Sequence, residues 1–202
     1  MSRATVKLRK RLKKLPQLKQ KLAAQQPELP VEVWAFDEHR VGLKPILRKV
    51  WSPIGERPIA AVHHRYEWTY VYSFVHPNSG ATEWFLLPRV NVDWFNLALE
   101  HFAKAVGAGQ TKQILLVIDG AGWHRSERVK IPEGIHLEIL PPYSPELQPA
   151  ERLWSLADEP LVNRSFDTIA SLEEILCQRC RYLATNLQEH IQGLTQFHWW
   201  PA

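Results

Sequence analysis

Three acidic residues, Asp37, Asp119 and Glu151, stand where packing explains a carboxylate poorly. Asp37 ends the apolar run Val31-Glu-Val-Trp-Ala-Phe36, and Asp119 ends Ile114-Leu-Leu-Val-Ile118. Glu151 follows Leu140-Pro-Pro-Tyr-Ser-Pro-Glu-Leu-Gln-Pro-Ala150, just inside a helix that this Pro-rich turn opens. An apolar strand that delivers an aspartate at its end brings charge to the edge of the core. Ionised carboxylates rarely remain there uncompensated. Three gathered together raise one another's pKa unless a divalent cation holds them. Hard oxygen donors of this kind suit Mg²⁺ or Mn²⁺, and such sites serve phosphoryl chemistry. Taken singly, each acid has a plainer reading: a strand-end turn residue, a turn former before Gly120, and a first-turn helix carboxylate.

The neighbours of these acids are less well defined. Glu38 points to the opposite strand face from Asp37 and reads as a structural or supporting group. Glu146, in the turn before the helix, competes with Glu151 and ranks below it. His124 contacts phosphate, supports Asp119, or pairs with loop backbone. His63 and His64 have no matched partners and read as surface residues. Cys177 and Cys180 form a lone Cys-x-x-Cys within a helical segment. A structural zinc needs four ligands, so the pair reads as two helix thiols without a functional role.

The elements that must position the acids follow from periodicity. Strands are predicted at 31–37, about 46–51, Tyr66 to Val75 and Ala81 to Leu87, then a helix at Val92 to Val106 closed by Gly107 and Gly109. A buried strand at 113–118, a loop at Gly120 to Arg128, a short strand at 135–140 and helices at 149–158 and 171–187 complete the order. Strands first, then helix–strand–loop–strand–helix, predicts an α/β fold: a mixed sheet flanked by helices. No internal repeat or low-complexity segment interrupts it.

With 202 residues, 45% of them hydrophobic, the chain can bury one good core. The nine tryptophans read as packing residues, since most fall within strand-like or helical apolar patterns. No run approaches the ~18–20 apolar residues of a membrane span, and the basic N-terminus lacks the apolar core of a secretory signal. The net charge of +4 is unevenly distributed. Residues 1–27 hold nine Lys or Arg and no acid, leaving 16 basic residues against 21 acids, about −5, in the remainder. Residues 1–28 therefore read as a basic arm or linker, and 29–202 as one acidic domain. A basic arm adds salt-dependent affinity for nucleic acid, or is simply a solvated helix. Leu8, Leu12, Leu15, Leu18 and Leu22 form a helical stripe that Pro16 interrupts.

Four segments carry a family resemblance: Phe36-Asp-Glu-His39, Val50-Trp-Ser-Pro-Ile-Gly-Glu-Arg-Pro58, Val117-Ile-Asp-Gly-Ala-Gly-Trp-His124 and Leu140-Pro-Pro-Tyr-Ser-Pro-Glu-Leu-Gln-Pro-Ala-Glu-Arg-Leu-Trp154. Over residues 31–200 the chain resembles the mariner-related bacterial insertion-sequence transposases of the DDE superfamily. The resemblance implies a ribonuclease-H-like fold with Asp37, Asp119 and Glu151 as catalytic metal ligands. It also implies Mg²⁺ or Mn²⁺ as cofactor, and two-metal cutting of element ends followed by joining of 3′-hydroxyls to target DNA at TA. Asp37 would bridge two ions about 3.5–4 Å apart. Double-stranded DNA, a second copy of the chain, and a separately encoded helix-turn-helix half are the implied partners, acting in the bacterial cytoplasm at the nucleoid. Only the basic segment precedes the first acid, where the family has its DNA-reading region. The alternatives are an idle regulatory remnant of a transposase and a ribonuclease-H-like nuclease. The chain departs from the pattern at Gly120 and Gln148, where the family usually has Asn. Both changes are expected to alter hydrogen bonds that orient the ligands.

Overall fold

A computed structural model of the chain describes residues 14–57, 59, 65–141 and 147–201. The described residues form one five-stranded sheet: β1 (Val31–Gly42), β2 (Trp68–His76), β3 (Ala81–Leu87), β4 (Gln113–Ile118) and β5 (Ile135–Ile139). Their order across the sheet is β3-β2-β1-β4-β5. β1 and β2, and β2 and β3, pair antiparallel, while β1–β4 and β4–β5 are parallel. β1 is thus the central strand, and its middle is covered on both faces. Val33, Ala35 and Val41 belong to one core, and Trp34 and Phe36 to the other.

The helices divide between these faces. α2 (Val92–Val106) presses Phe95, Leu99 and Phe102 onto the Trp34–Phe36 face. Asn91 caps its N-terminus by accepting from the Trp94 N–H, and Gly107 closes it in the left-handed conformation (φ 72°). The other face is covered by α1 (Lys14–Gln25), the short α3 (Trp154–Ala157), α4 (Ile169–Asn186) and α5 (Gln188–Thr195). α1 buries Leu15 and packs Leu18 and Leu22 on the core. Pro16 lies in its described first turn, where a missing N–H costs little. Basic residues 3–13 lie outside the described residues. Cys180 is buried on α4 and Cys177 exposed, both as free thiols.

Three boundaries differ from the sequence expectation. β1 runs on past Asp37 to Gly42, because Glu38 through Gly42 all find partners on β2. The strand expected at 46–51 does not form. Ile46 makes only an isolated bridge with Val162, and Leu47, Val50 and Trp51 are exposed. Both edges of β1 are already paired, and these apolar residues do not alternate, so the segment has no ladder to join. The helix expected at 149–158 is instead a 3₁₀ turn over Pro149–Leu153 leading into α3, with a second 3₁₀ turn at Glu159–Leu161. The tighter turn is what brings Glu151 into position.

The β2–β3 connection has no room for a side chain. Gly80 has φ 72°, and a Cβ there would lie 1.8 Å from the Gln188 carbonyl oxygen at the start of α5. Gly80→Ala is expected to cost about 3 kcal/mol in urea unfolding, from left-handed strain plus overpacking. Gly55→Ala, with φ 90° but open space around it, should show only the backbone part.

Candidate active site

Parallel register places the first two acids together. Ala35 on β1 pairs with Val117 on β4, so Asp37 and Asp119, each two positions further on, stand at the same end of the sheet. Glu151, on the 3₁₀ turn that packs against β1, reaches the same point and its carboxyl hydrogen-bonds to that of Asp37. The three predicted acids therefore share one end of the sheet. Glu146, His63 and His64 lie outside the described residues.

The three carboxyls sit in different surroundings. Asp37 is 9% exposed. Burial, and then the charges of Glu151, Glu38 and Asp119, push its pKa well above the ordinary 3.8. Burial also raises Glu151; the charge of Asp119 adds to this, and His39 opposes it. For Asp119 burial is outweighed by the His124 hydrogen bond, the Ala121 N–H and the charges of His124 and Arg125, which hold it below its usual value. Among the described residues no lysine or arginine pairs with Asp37 or Glu151. A buried carboxyl whose charged neighbours are other carboxyls is the environment that a hard dication neutralises, so the donor set fits Mg²⁺ or Mn²⁺.

Several supporting contacts have no signature in the sequence. Trp154 Nε1 donates to Asp37 Oδ2 at 3.2 Å, and its ring stacks on His39 with centroids 4.9 Å apart. His39 Nε2 is in turn 2.9 Å from Asp158 Oδ1. Gln148 Nε2 donates to the Phe36 carbonyl, in the peptide bond that leads into Asp37. Gly120 leaves space for Arg125, whose guanidinium nitrogen lies 2.7 Å from where a Cβ would stand. Gly120 and Gln148, the two departures from the family pattern, thus lie beside Asp119 and Asp37. The one available sequence cue for Trp154 is its place three residues after Glu151, on the same side of the turn.

On the opposite face of β1, His124 is fully buried between two acids. Its Nδ1 lies 2.7 Å from Asp119 Oδ1 and its Nε2 3.0 Å from Glu38 Oε1. Of its three sequence readings, support for Asp119 is the one the structure shows. Burial lowers its pKa, but the hydrogen bonds and charges of Asp119 and Glu38 raise it to about 9. Trp123 Nε1 also donates to Glu38, at 3.1 Å. Donor atoms of Glu38, Asp119 and His124 come within 4.8 Å of one another, a second grouping that could in principle hold a cation. Trp123 Nε1 lies 3.1 Å from His124 Nε2 as well. The upward shift favours the charged imidazole, which offers a cation no lone pair.

A family model of DDE superfamily endonucleases matches residues 32–173, well over half of the chain, and the chain belongs to that family. It is 35% identical over 100 residues to an uncharacterised protein of Sinorhizobium fredii, an overlap of 49% of this chain and 73% of that protein. Its fold is ribonuclease-H-like, similar to the Mos1 transposase paired-end complex with the left transposon end. There the TM-score is 0.56 at 15% identity, over 98% of this chain and 64% of that one. The Mos1 mariner paired-end complex with Mn gives a TM-score of 0.57 at 15% identity and the same coverage. The chain therefore spans just under two thirds of the Mos1 transposase chains it matches. Among the described residues no helix is long and apolar enough to cross a membrane.

Proposed function

We propose that the chain is the catalytic domain of a transposase that cuts DNA at the ends of an insertion element and joins the freed 3′-hydroxyls to target DNA. Asp37, Asp119 and Glu151 are its metal-holding catalytic residues. The observation that carries this reading is the convergence of three carboxyls from two adjacent parallel strands and a 3₁₀ turn, with Asp37 buried among acids. Bound Mg²⁺ or Mn²⁺ would supply Lewis-acid stabilisation of charge on the scissile phosphate and a deprotonated nucleophile at neutral pH.

The chain's own residues fix geometry and charge. Asp37 and Asp119 are held at a spacing set by the sheet, about 4.8 Å between strands. Glu151 closes the third side. Trp154 restrains one Asp37 oxygen and excludes water from behind it, while His124 and the Ala121 N–H restrain Asp119 Oδ1. In the cutting step a water oxygen bonds to phosphorus as the bond to the 3′-oxygen breaks. In the joining step that 3′-hydroxyl attacks a target phosphodiester and displaces its 3′-oxygen.

Double-stranded DNA, both element ends and target, is the substrate in this reading. The protein acts as a homodimer on paired ends at the bacterial nucleoid, with a separately encoded helix-turn-helix protein choosing the ends. Labelled duplexes incubated with the chain and Mg²⁺ or Mn²⁺, with and without the product of the upstream reading frame, test this directly. Metal-dependent strand cleavage that is lost in Asp119→Ala is the expected result. Cleavage that survives Asp119→Ala would overturn the assigned site, and no cleavage under either condition would favour a regulatory remnant.

A further inference from the structure

Among the described residues, three buried side-chain atoms lack a hydrogen-bond partner: Ser73 Oγ, Gln148 Oε1 and Trp200 Nε1. Two of these side chains adjoin Asp37. Ser73 lies directly opposite Asp37 in the antiparallel β1–β2 pair. Opposed residues share a face, with Cβ atoms about 4.5–5.5 Å apart. The same row continues to Trp84 on β3, the cross-strand partner of Ser73. Trp154 touches the residues on both sides of the serine, donating to Asp37 and packing edge-on against Trp84 at 6.4 Å.

The residue type is out of place for packing. On this face β2 presents Val71, Ser73 and Val75, each 0% exposed. The flanking valines join the apolar core that covers the face, and an apolar residue at 73 would continue the pattern. A buried hydroxyl without a partner is unfavourable, so alanine would pack there at lower cost. Thr69, also buried and polar on this face, donates to the Leu87 carbonyl; the hydroxyl left without a partner is the one opposite the acid. Groups kept at a stability cost are concentrated at functional sites.

We propose that Ser73 is a positioning residue for Asp37. The Ser73 hydroxyl donates to the Asp37 carboxyl at a lone pair that Trp154 does not occupy. This fixes the carboxylate plane toward Asp119 and Glu151. The hydroxyl keeps its proton throughout and makes no contact with substrate. Together with Trp154 and the grip of Gln148 on the Phe36 carbonyl, it gives Asp37 restraints from three separate elements. The proposal rests on the reading of Asp37 as a metal-holding acid.

Ser73→Ala and Ser73→Thr, compared with wild type and Asp37→Asn, test it by Mn²⁺ titration calorimetry and by metal-free urea unfolding. Ser73→Ala should bind Mn²⁺ about tenfold more weakly, the usual effect of losing a group that orients a ligand. Its metal-free stability should equal or exceed that of wild type. Ser73→Thr, which keeps the hydroxyl, should recover most of the affinity. Wild-type Mn²⁺ affinity in Ser73→Ala, or weakened binding that only follows lost stability in both variants, would overturn the proposal. If Asp37→Asn binds Mn²⁺ as wild type does, the reading of Asp37 itself fails instead.

Discussion

Asp37→Asn is expected to lower metal-dependent strand cleavage by about a thousandfold or more while making the metal-free protein more stable. The loss in rate follows if the carboxylate helps hold the cation, whose stabilisation of the transition state amounts to several kcal/mol. The gain in stability follows from the surroundings of Asp37. It is buried, faces Glu151, Glu38 and Asp119, and its pKa lies well above 3.8. Its contribution to stability is therefore fully present below pH about 3.8, the unfolded value, and is lost as pH rises through the folded one. As pH rises through the folded value the wild type takes on the cost of ionising a buried group among acids, and asparagine does not. Thermal unfolding in EDTA should place the variant above wild type. Added Mg²⁺ should stabilise wild type by mass action and leave the variant little changed. A variant that is both less stable and cleavage-competent would contradict this account.

His124→Ala should have the largest effect on folding stability of any single change at the site, about 3–5 kcal/mol. It strands the Glu38 carboxylate, 6% exposed, without its cation. The pH dependence has the opposite sign to that of Asp37. His124 is raised from 6.5 to about 9, so its contribution is complete below pH about 6.5 and is lost as pH rises through about 9. That difference, at ~1.4 kcal/mol per pH unit, corresponds to ~3 kcal/mol. Urea unfolding of the wild type between pH 6.5 and 9.5 should show this decline. His124→Ala should lack it and be nearly flat over the same range.

How far the site was legible in the sequence depends on the distance over which each contact acts. Asp37 and Asp119 were legible because each ends an apolar run, and the parallel register of those runs then sets them at the same end of the sheet. Glu151 was legible from the Pro-rich string before it, although the 3₁₀ geometry that aims it was not. The extension of β1 to Gly42 was hidden because Glu38, His39 and Arg40 look like a polar loop until β2 is laid beside them. The apolar 46–51 segment looked like a strand in isolation, and fails as one only because β1 has no free edge.

The supporting groups depend entirely on such long-range placement. Trp154 meets Asp37 across 117 positions and His124 meets Glu38 across 86. No local pattern relates either pair. Ser73 is unremarkable in sequence until register sets it opposite an acid. Gly120 stands out in sequence as a departure from the family pattern, but the approach of Arg125 that it permits exists only in the fold.

Asp37, Asp119 and Glu151, and not the trio of Glu38, Asp119 and His124, are expected to form the cation site. Mn²⁺ titration calorimetry on wild type, Asp37→Asn, Glu151→Gln and Glu38→Gln decides between them most directly. The account predicts that binding is lost or greatly weakened in Asp37→Asn and Glu151→Gln, and persists in Glu38→Gln. Binding that persists in Asp37→Asn and Glu151→Gln but disappears in Glu38→Gln would contradict it.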